Sequence, residues 1–270
     1  MAALRIIKPG VAFISGAASG IGKATAFAFA KHGVNKLALG DINNSAQAAV
    51  SKEIQASYPD VEIQKLSLDS GDEKSIVNAH KDTIKRFGRI DYAVNNAGDS
   101  GTLRRSTDMT TEEFNQAIHV NMTGESLATG YLKYSQFKFW CGTNGAPRLN
   151  RGVIVNVASI YGMVCGTNTT SYSTSKFSVI GLTKSDSMNY APHNIRINAV
   201  CPGFIATPMM GDVVNRPEGN SKRFRDGTPM RRFGKPEEIA DAIIFLSSKM
   251  SAFITGQGLP VDGGYTTAAS

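Results

Sequence analysis

Short β-branched and aliphatic runs alternate along the whole chain with longer stretches whose apolar positions recur at a helical period. The runs Val11–Ser15, Lys36–Leu39, Glu62–Leu66, Ile90–Val94, Gly152–Val157, Arg196–Val200 and Gly258–Val261 read as strands. Between them Gly20–His32, Asn44–Ser57, Asp72–Phe87, Thr111–Lys138, Tyr172–Tyr190 and Pro236–Ser247 read as helices. Parallel strands need long crossovers and helices supply them, so this order predicts an α/β fold: a doubly wound, seven-stranded parallel sheet with helices on both faces. No Pro/Ser-rich linker or internal repeat divides the chain, and a single domain over residues 1–270 is expected.

Two connections are too long for tight turns: Phe139–Arg151, with Gly142, Gly145 and Pro147, and Gly203–Lys235, with three prolines. The second follows the carboxyl end of a strand, where ligands bind in such sheets, so residues 203–235 read as a substrate lid.

Composition mainly excludes. With 270 residues, 41% of them hydrophobic and 19% charged, the chain suits a globular protein that folds without staples. No stretch approaches the roughly 20 apolar residues of a membrane span. The opening MAALRIIKPG lacks the apolar core of a signal peptide, so a cytoplasmic location without a membrane partner is expected. Three scattered cysteines and four histidines indicate neither a disulfide framework nor a metal site. The net charge of +7 concentrates in one cluster, Lys222, Arg223, Arg225, Arg231, Arg232 and Lys235. No aromatic residues interleave with it, so nucleic acid is not an expected partner. The cluster reads as solvated surface, with contact to an anionic ligand tail as the alternative.

The first strand runs into Gly16-Ala17-Ala18-Ser19-Gly20-Ile21-Gly22 and then into an Ala-rich helical stretch. Strand, glycine loop and helix in succession suit a Rossmann-type dinucleotide site: a tight turn at Gly16, close backbone approach to a pyrophosphate at Gly20, and tight helix–strand packing at Gly22. The helix amino terminus, with Ser19 and Ile21 around it, offers N–H groups to the phosphates. Asp41, followed by Ile42, ends the second strand 21 residues beyond Gly20. A carboxylate there accepts hydrogen bonds from both adenosine ribose hydroxyls and repels a 2′-phosphate, which favours NAD as cofactor over NADP. Lys23 and Lys36 are not far away in sequence, and the alternative for Asp41 is an aspartate that merely starts the turn before Asn43.

With Asn95-Asn96-Ala97-Gly98 after the fourth strand, Pro202-Gly203 after the sixth, and the closing Ile254-Thr255-Gly256-Gln257 and Val261-Asp262-Gly263-Gly264, the chain resembles a classical short-chain dehydrogenase/reductase over nearly its whole length. The resemblance implies that Asp69 contacts the adenine ring and that Asn96, Ala97 and Gly98 support the cofactor beside the central sheet. It implies that Pro202 and Gly203 lead to Ile205 and Thr207, which hold the nicotinamide carboxamide. It also implies a catalytic pair, Tyr-x-x-x-Lys, met here by Tyr172 and Lys176, which adjoin the cofactor as well. Tyr134 and Lys138 share that spacing; thirteen residues before Tyr172 stands Ser159 at a strand end, whereas thirteen before Tyr134 stands Asn121. A free phenol is too weak a base at neutral pH, and the neighbouring Lys176 ammonium supports it by favouring the charged form. Ser159 would donate a hydrogen bond to the substrate oxygen, and Asn121 would anchor a water linking Lys176 to solvent. The interval from Asn121 to Ser159 is longer than usual for the family by roughly ten residues, around Trp140 to Asn150.

For the substrate, the lid offers Phe204, Met209, Met210, Val213 and Val214, and the loop after Ser159 offers Tyr161, Met163 and Val164. An apolar small-molecule alcohol or ketone is expected, terpenoid, steroid-like or polyketide. NAD use tilts the direction toward alcohol oxidation. The competing readings are an NADPH-dependent ketoreductase, such as a 3-oxoacyl carrier-protein reductase, and a dinucleotide-sensing protein without catalysis. The latter is disfavoured by the retention of Ser159, Tyr172 and Lys176. The resemblance further implies a homotetramer or homodimer paired through the helices Thr111–Lys138 and Tyr172–Tyr190.

Overall fold

The computed structural model describes residues 6–124, 152–215 and 218–267. Seven strands form one parallel sheet: β1 (Val11–Ser15), β2 (Lys36–Asp41), β3 (Glu62–Ser67), β4 (Tyr92–Asn95), β5 (Gly152–Val157), β6 (Ile195–Pro202) and β7 (Gly258–Val261). Their order is β3-β2-β1-β4-β5-β6-β7. The chain winds outward from β1 to β3, then crosses back to β4 on the other side of β1. That reversal opens a crevice at the carboxyl ends of β1 and β4, the place where doubly wound sheets bind ligands.

The helices are α1 (Gly20–Lys31), α2 (Asn44–Ser57), α3 (Glu73–Phe87), α4 (Thr111–Ile118), α5 (Thr170–Tyr190), α6 (Asn220–Gly227) and α7 (Pro236–Ser247). Period-two alternation in the central strands decides which face each side chain serves. Ile14, Val94, Val155 and Val200 pack with Phe29 of α1, Ile54 of α2 and Ile243 of α7. Their neighbours Phe13, Ala93, Ile154 and Ile197 pack with Ile76, Ala79 and Phe87 of α3 on the opposite face. Val179 of α5 joins Ala199 and Cys201 in a smaller cluster. The sheet is thus buried on both sides, as its near-continuous apolar strands require.

Several helix ends follow from local chemistry. Asp72 caps α3 by accepting from the Lys74 and Ser75 amides, and Gly88 closes it in the left-handed region at φ 79°. Thr110 and Glu113 form a reciprocal capping box at α4.

Three expectations need correction. The helix expected from Thr111 keeps α geometry only to Ile118 and then widens into a π turn over His119–Thr123; its continuation to Lys138, with Tyr134, lies outside the described residues, as does Phe139–Arg151. Helix α5 begins at Thr170, two residues before Tyr172, because Thr169 ties the preceding turn through Gly166 and Ser173. The 203–235 segment is not all loop: Pro208–Asn215 forms 3-10 turns and Asn220–Gly227 is helical.

Candidate active site

The glycine loop is shaped by distances that leave no room for side chains. A Cβ on Gly22 would stand 2.0 Å from the Gly16 carbonyl oxygen and 2.7 Å from Asn96 Nδ2. Asn96 crosses from the end of β4 to donate to the carbonyls of Ser15 and Gly16, both at 3.0 Å. Ser15 Oγ answers by accepting from the Asn96 and Ala97 amides. Beyond the loop, Ser19 occupies the N-cap of α1 but makes no capping bond with its side chain, and the first turn carries no acid. The helix amino end therefore keeps donors and a positive dipole for an anion. Gly20 faces Thr207, whose Cβ would lie 3.3 Å from an added Cβ. These features fit a dinucleotide pyrophosphate.

Asp41 holds the loop from the other side. Its Oδ2 accepts from Ala18 N at 2.8 Å and its Oδ1 from Asn43 N at 2.8 Å. Asp41 thus starts the turn, and since a carboxylate has about four acceptor sites, two remain. Lys23 is paired with Glu53 at 2.7 Å. Lys36 starts β2, about 16 Å from Asp41 at the usual rise of roughly 3.3 Å per residue. Asp69 is exposed and accepts from Gly71 N, while Ile42 is 71% exposed.

Ser159 and Tyr172 stand where β5 ends and α5 begins. Ser159 is buried and its Oγ accepts from Tyr161 N at 3.1 Å. Lys176, one turn after Tyr172, is 4% exposed; its Nζ donates to the Val157 carbonyl at 2.8 Å and lies 5.9 Å from the Tyr172 ring centre. Beneath Ser159 the Cys201 thiol is pushed up to about 12 by burial, which keeps it neutral and unreactive. Gly98 brings the neighbouring groups together, because a Cβ there would lie 3.0 Å from Asn121 Oδ1 and 3.6 Å from Lys176 Nζ.

Asn121, fully buried in the π turn, accepts from Asp99 N at 2.7 Å and donates to Asp99 O at 2.8 Å and Ser175 Oγ at 3.1 Å. Its side chain clamps the Asn96–Asp99 segment to the catalytic helix. A second buried link was not foreseen from sequence: Asn95 donates to Asn156, and Asn156 donates to Thr183 of α5, both at 2.9 Å. The only signal was an asparagine inside an apolar strand, where a buried amide needs partners.

Among the residues expected to meet substrate, Tyr161 stands edge-on to both Tyr172 and Phe204. Met163 and Met209 are exposed, whereas Met210 and Val213 are half-buried. Gly203 closes on Asp262, Pro202 pairs with Val261, and Ile205 bridges to Gly234, so the candidate lid springs from the β6–β7 edge. Phe224 and Tyr265 also enter this cluster, and sequence reasoning had assigned neither.

A parallel doubly wound sheet with a glycine loop at its switch point fits a dinucleotide-binding protein. A family model described as Enoyl-(Acyl carrier protein) reductase matches residues 16–266. The short-chain dehydrogenase anuF of Penicillium roqueforti is 37% identical over 265 residues, covering 95% of this chain and 96% of that protein. The 3-oxoacyl-[acyl-carrier-protein] reductase FabG of Thermotoga maritima is 38% identical over 258 residues, covering 94% and 96%. Among solved structures, levodione reductase superposes with a TM-score of 0.86 at 31% identity, covering 96% of this chain and 98% of its own. The chain belongs to the classical short-chain dehydrogenase/reductase family, whose members bind a nicotinamide dinucleotide and act on alcohols and ketones. Among the described residues no helix is long and apolar enough to cross a membrane.

Proposed function

We propose that the protein is an NAD(H)-dependent dehydrogenase/reductase that interconverts an apolar secondary alcohol and its ketone. The observation that supports this reading is buried Lys176, whose Nζ lies 5.9 Å from the Tyr172 ring centre and donates at 2.8 Å to Val157 at the carboxyl end of β5, two residues before Ser159. Ser159 donates to the substrate oxygen, and Tyr172 takes the hydroxyl proton as the alcohol is oxidised. Lys176 stabilises the negative charge left on the phenol oxygen and holds the nicotinamide ribose. The dinucleotide, when bound, accepts the hydride that leaves the carbinol carbon, so one C–H and one O–H bond break as the carbonyl forms. Asn121 acts as a positioning residue through Asp99 and Ser175. A water linked to Lys176 would then rest on the main chain of the π turn, whose wider spacing loosens the usual carbonyl pairing.

Asp41 supports NAD over NADP, because the lysines nearest in sequence are paired or distant. A terpenoid, steroid-like or polyketide alcohol suits the apolar lid. Exposed Phe177 and Met188 on α5 support pairing of that helix in a homodimer or homotetramer, measurable by light scattering. A second reading, an NADPH-dependent carrier-protein ketoreductase, is favoured by the likeness to the Thermotoga reductase. The deciding experiment titrates the purified protein side by side with NAD(H) and NADP(H), by nicotinamide fluorescence or calorimetry. NAD(H) should bind at least tenfold tighter; a preference for NADP(H) puts the ketoreductase first.

A further inference from the structure

Five aromatic rings, Tyr172 among them, form one connected cluster, and none belongs to the hydrophobic clusters of the sheet. Tyr161 meets Tyr172 edge-on at 6.4 Å between ring centres and Phe204 edge-on at 6.2 Å. Phe204 stacks on Phe224 at 4.1 Å with an interplanar angle of 19°, and meets Tyr265 at 5.1 Å and 90°. These rings come from five separate places: the turn after β5, the start of α5, the end of β6, helix α6 and the segment after β7.

All five rings are half-buried, neither sealed in the core nor open to solvent. Rings that served only to pack the sheet would be covered on both faces. Here each ring keeps part of its surface uncovered, and the cluster reaches Tyr172 through Tyr161. Aromatic walls of alternating edge and face complement another flat π-system, through offset stacking and edge contacts that a puckered ring cannot match. Burial, reinforced by Tyr265, pushes the Tyr161 hydroxyl up to about 12, so that phenol stays neutral at neutral pH.

We propose that the substrate is a planar one, an aryl ketone or the corresponding benzylic secondary alcohol, and that Phe204 and Tyr265 are specificity-determining residues that hold its ring. The assignment rests on the oxidoreductase reading above and narrows it. Phe224 backs Phe204 from the lid helix, so lid and specificity wall are one unit. The redox step is unchanged: the benzylic C–H supplies the hydride, the hydroxyl proton goes to Tyr172, and the oxidised dinucleotide is reduced.

The test uses two ketones with the same carbon skeleton, acetophenone with a flat ring and cyclohexyl methyl ketone with a puckered one. Each is reduced by the wild-type holoenzyme with NADH, and each is titrated into the Tyr172→Phe variant loaded with NADH, which reports binding without turnover. Acetophenone should show at least a tenfold advantage in kcat/KM and in Kd. Phe204→Leu and Tyr265→Leu should each bring that ratio to within threefold. Equal kcat/KM for the two ketones in the wild type overturns the proposal without requiring any variant to fold; equal Kd values in folded Tyr172→Phe, no binding of either there, or a ratio that neither folded Leu variant moves, overturns it as well. If the wild type reduces neither ketone while the Tyr172→Phe complex still binds acetophenone tenfold tighter, the oxidoreductase reading falls and the aromatic wall stands.

Discussion

The crevice has two sides built on different principles. On the cofactor side the shape comes from backbone: Gly22 packs against the Gly16 carbonyl, Asn96 ties two carbonyls, and Asp41 holds the amides of Ala18 and Asn43. On the proposed substrate side it comes from rings delivered by segments far apart in the chain, from Tyr161 to Tyr265. Backbone geometry tolerates almost no change, whereas a cluster of side chains can be repacked at modest cost. A dinucleotide is the same in every relative and an alcohol is not, so the rigid side suits the shared ligand and the adaptable side the variable one.

The largest expected effect lies where the two sides meet. Tyr172→Phe keeps the ring that Tyr161 meets but removes the hydroxyl. Its kcat should fall about 10³-fold, in the range of general acid–base contributions. Cofactor affinity, read by nicotinamide fluorescence, should stay within about twofold. A parallel loss of binding would make Tyr172 part of the cofactor floor rather than the proton path.

One substitution made on both sides sharpens the contrast. Gly22→Ala forces a Cβ to 2.0 Å from a backbone oxygen, which nothing flexible can relieve, and should cost about 3 kcal/mol in urea unfolding together with cofactor binding. Gly227→Ala places its Cβ 3.4 Å from the Tyr265 ring, an ordinary contact, at the end of α6. It should change stability by less than about 1 kcal/mol. Equal effects would erase the distinction between the two sides.

Stability should also fall at both ends of the pH scale. His80, fully buried against Phe13 of β1, has its pKa lowered from 6.5 to about 4, first by desolvation. The unfolded chain takes up that proton at 6.5 and the folded one only near 4, so stability present above 6.5 is lost as pH falls through this window, by about 3 kcal/mol. Tyr161 is raised from 10 to about 12, so its contribution is complete below 10 and lost as pH rises toward 12. Tyr92, at the amino end of β4, is raised to about 12 as well, chiefly by burial. Urea midpoints of Tyr161→Phe against wild type from pH 9 to 12 isolate the substrate side; unchanged alkaline sensitivity in that variant removes Tyr161 from the account.

What the sequence made legible follows the same division. The glycine loop and the helix starts near Asp72 and Thr111 were legible because glycine spacing and apolar periodicity are local signals, whereas the bond from Ala18 to Asp41 spans 23 residues and only the fold shows it. Ser159 and Lys176 were legible because a strand end and a helix start are themselves local signals, and the resemblance supplied their roles. The π turn at Asn121 was not, since nothing in HVNMTG distinguishes a widened turn from an α turn until Asn121 commits to Asp99 and Ser175. Asn156 and Tyr265 were missed for a related reason: their partners, Thr183 and Phe204, are remote in sequence, and only the folded sheet brings each pair together.

The smallest effect concerns Asp41, where structural and ligand roles overlap. Asp41→Ser removes the charge and weakens the clamp on Ala18 and Asn43, so some loss of affinity for both dinucleotides follows from loop loosening alone. That loss is common to NAD and NADP, because both present the same pyrophosphate to the loop. The ratio of the two affinities cancels it and reports only what the carboxylate does to the 2′ position. Removing two ribose hydrogen bonds and the repulsion of a 2′-phosphate should shift that ratio toward NADP by roughly tenfold, about 1.4 kcal/mol. Calorimetric titration of both cofactors into wild type and Asp41→Ser measures it directly. A ratio that stays fixed while both affinities drop would leave Asp41 as a loop clamp alone and move the choice of cofactor to some other group.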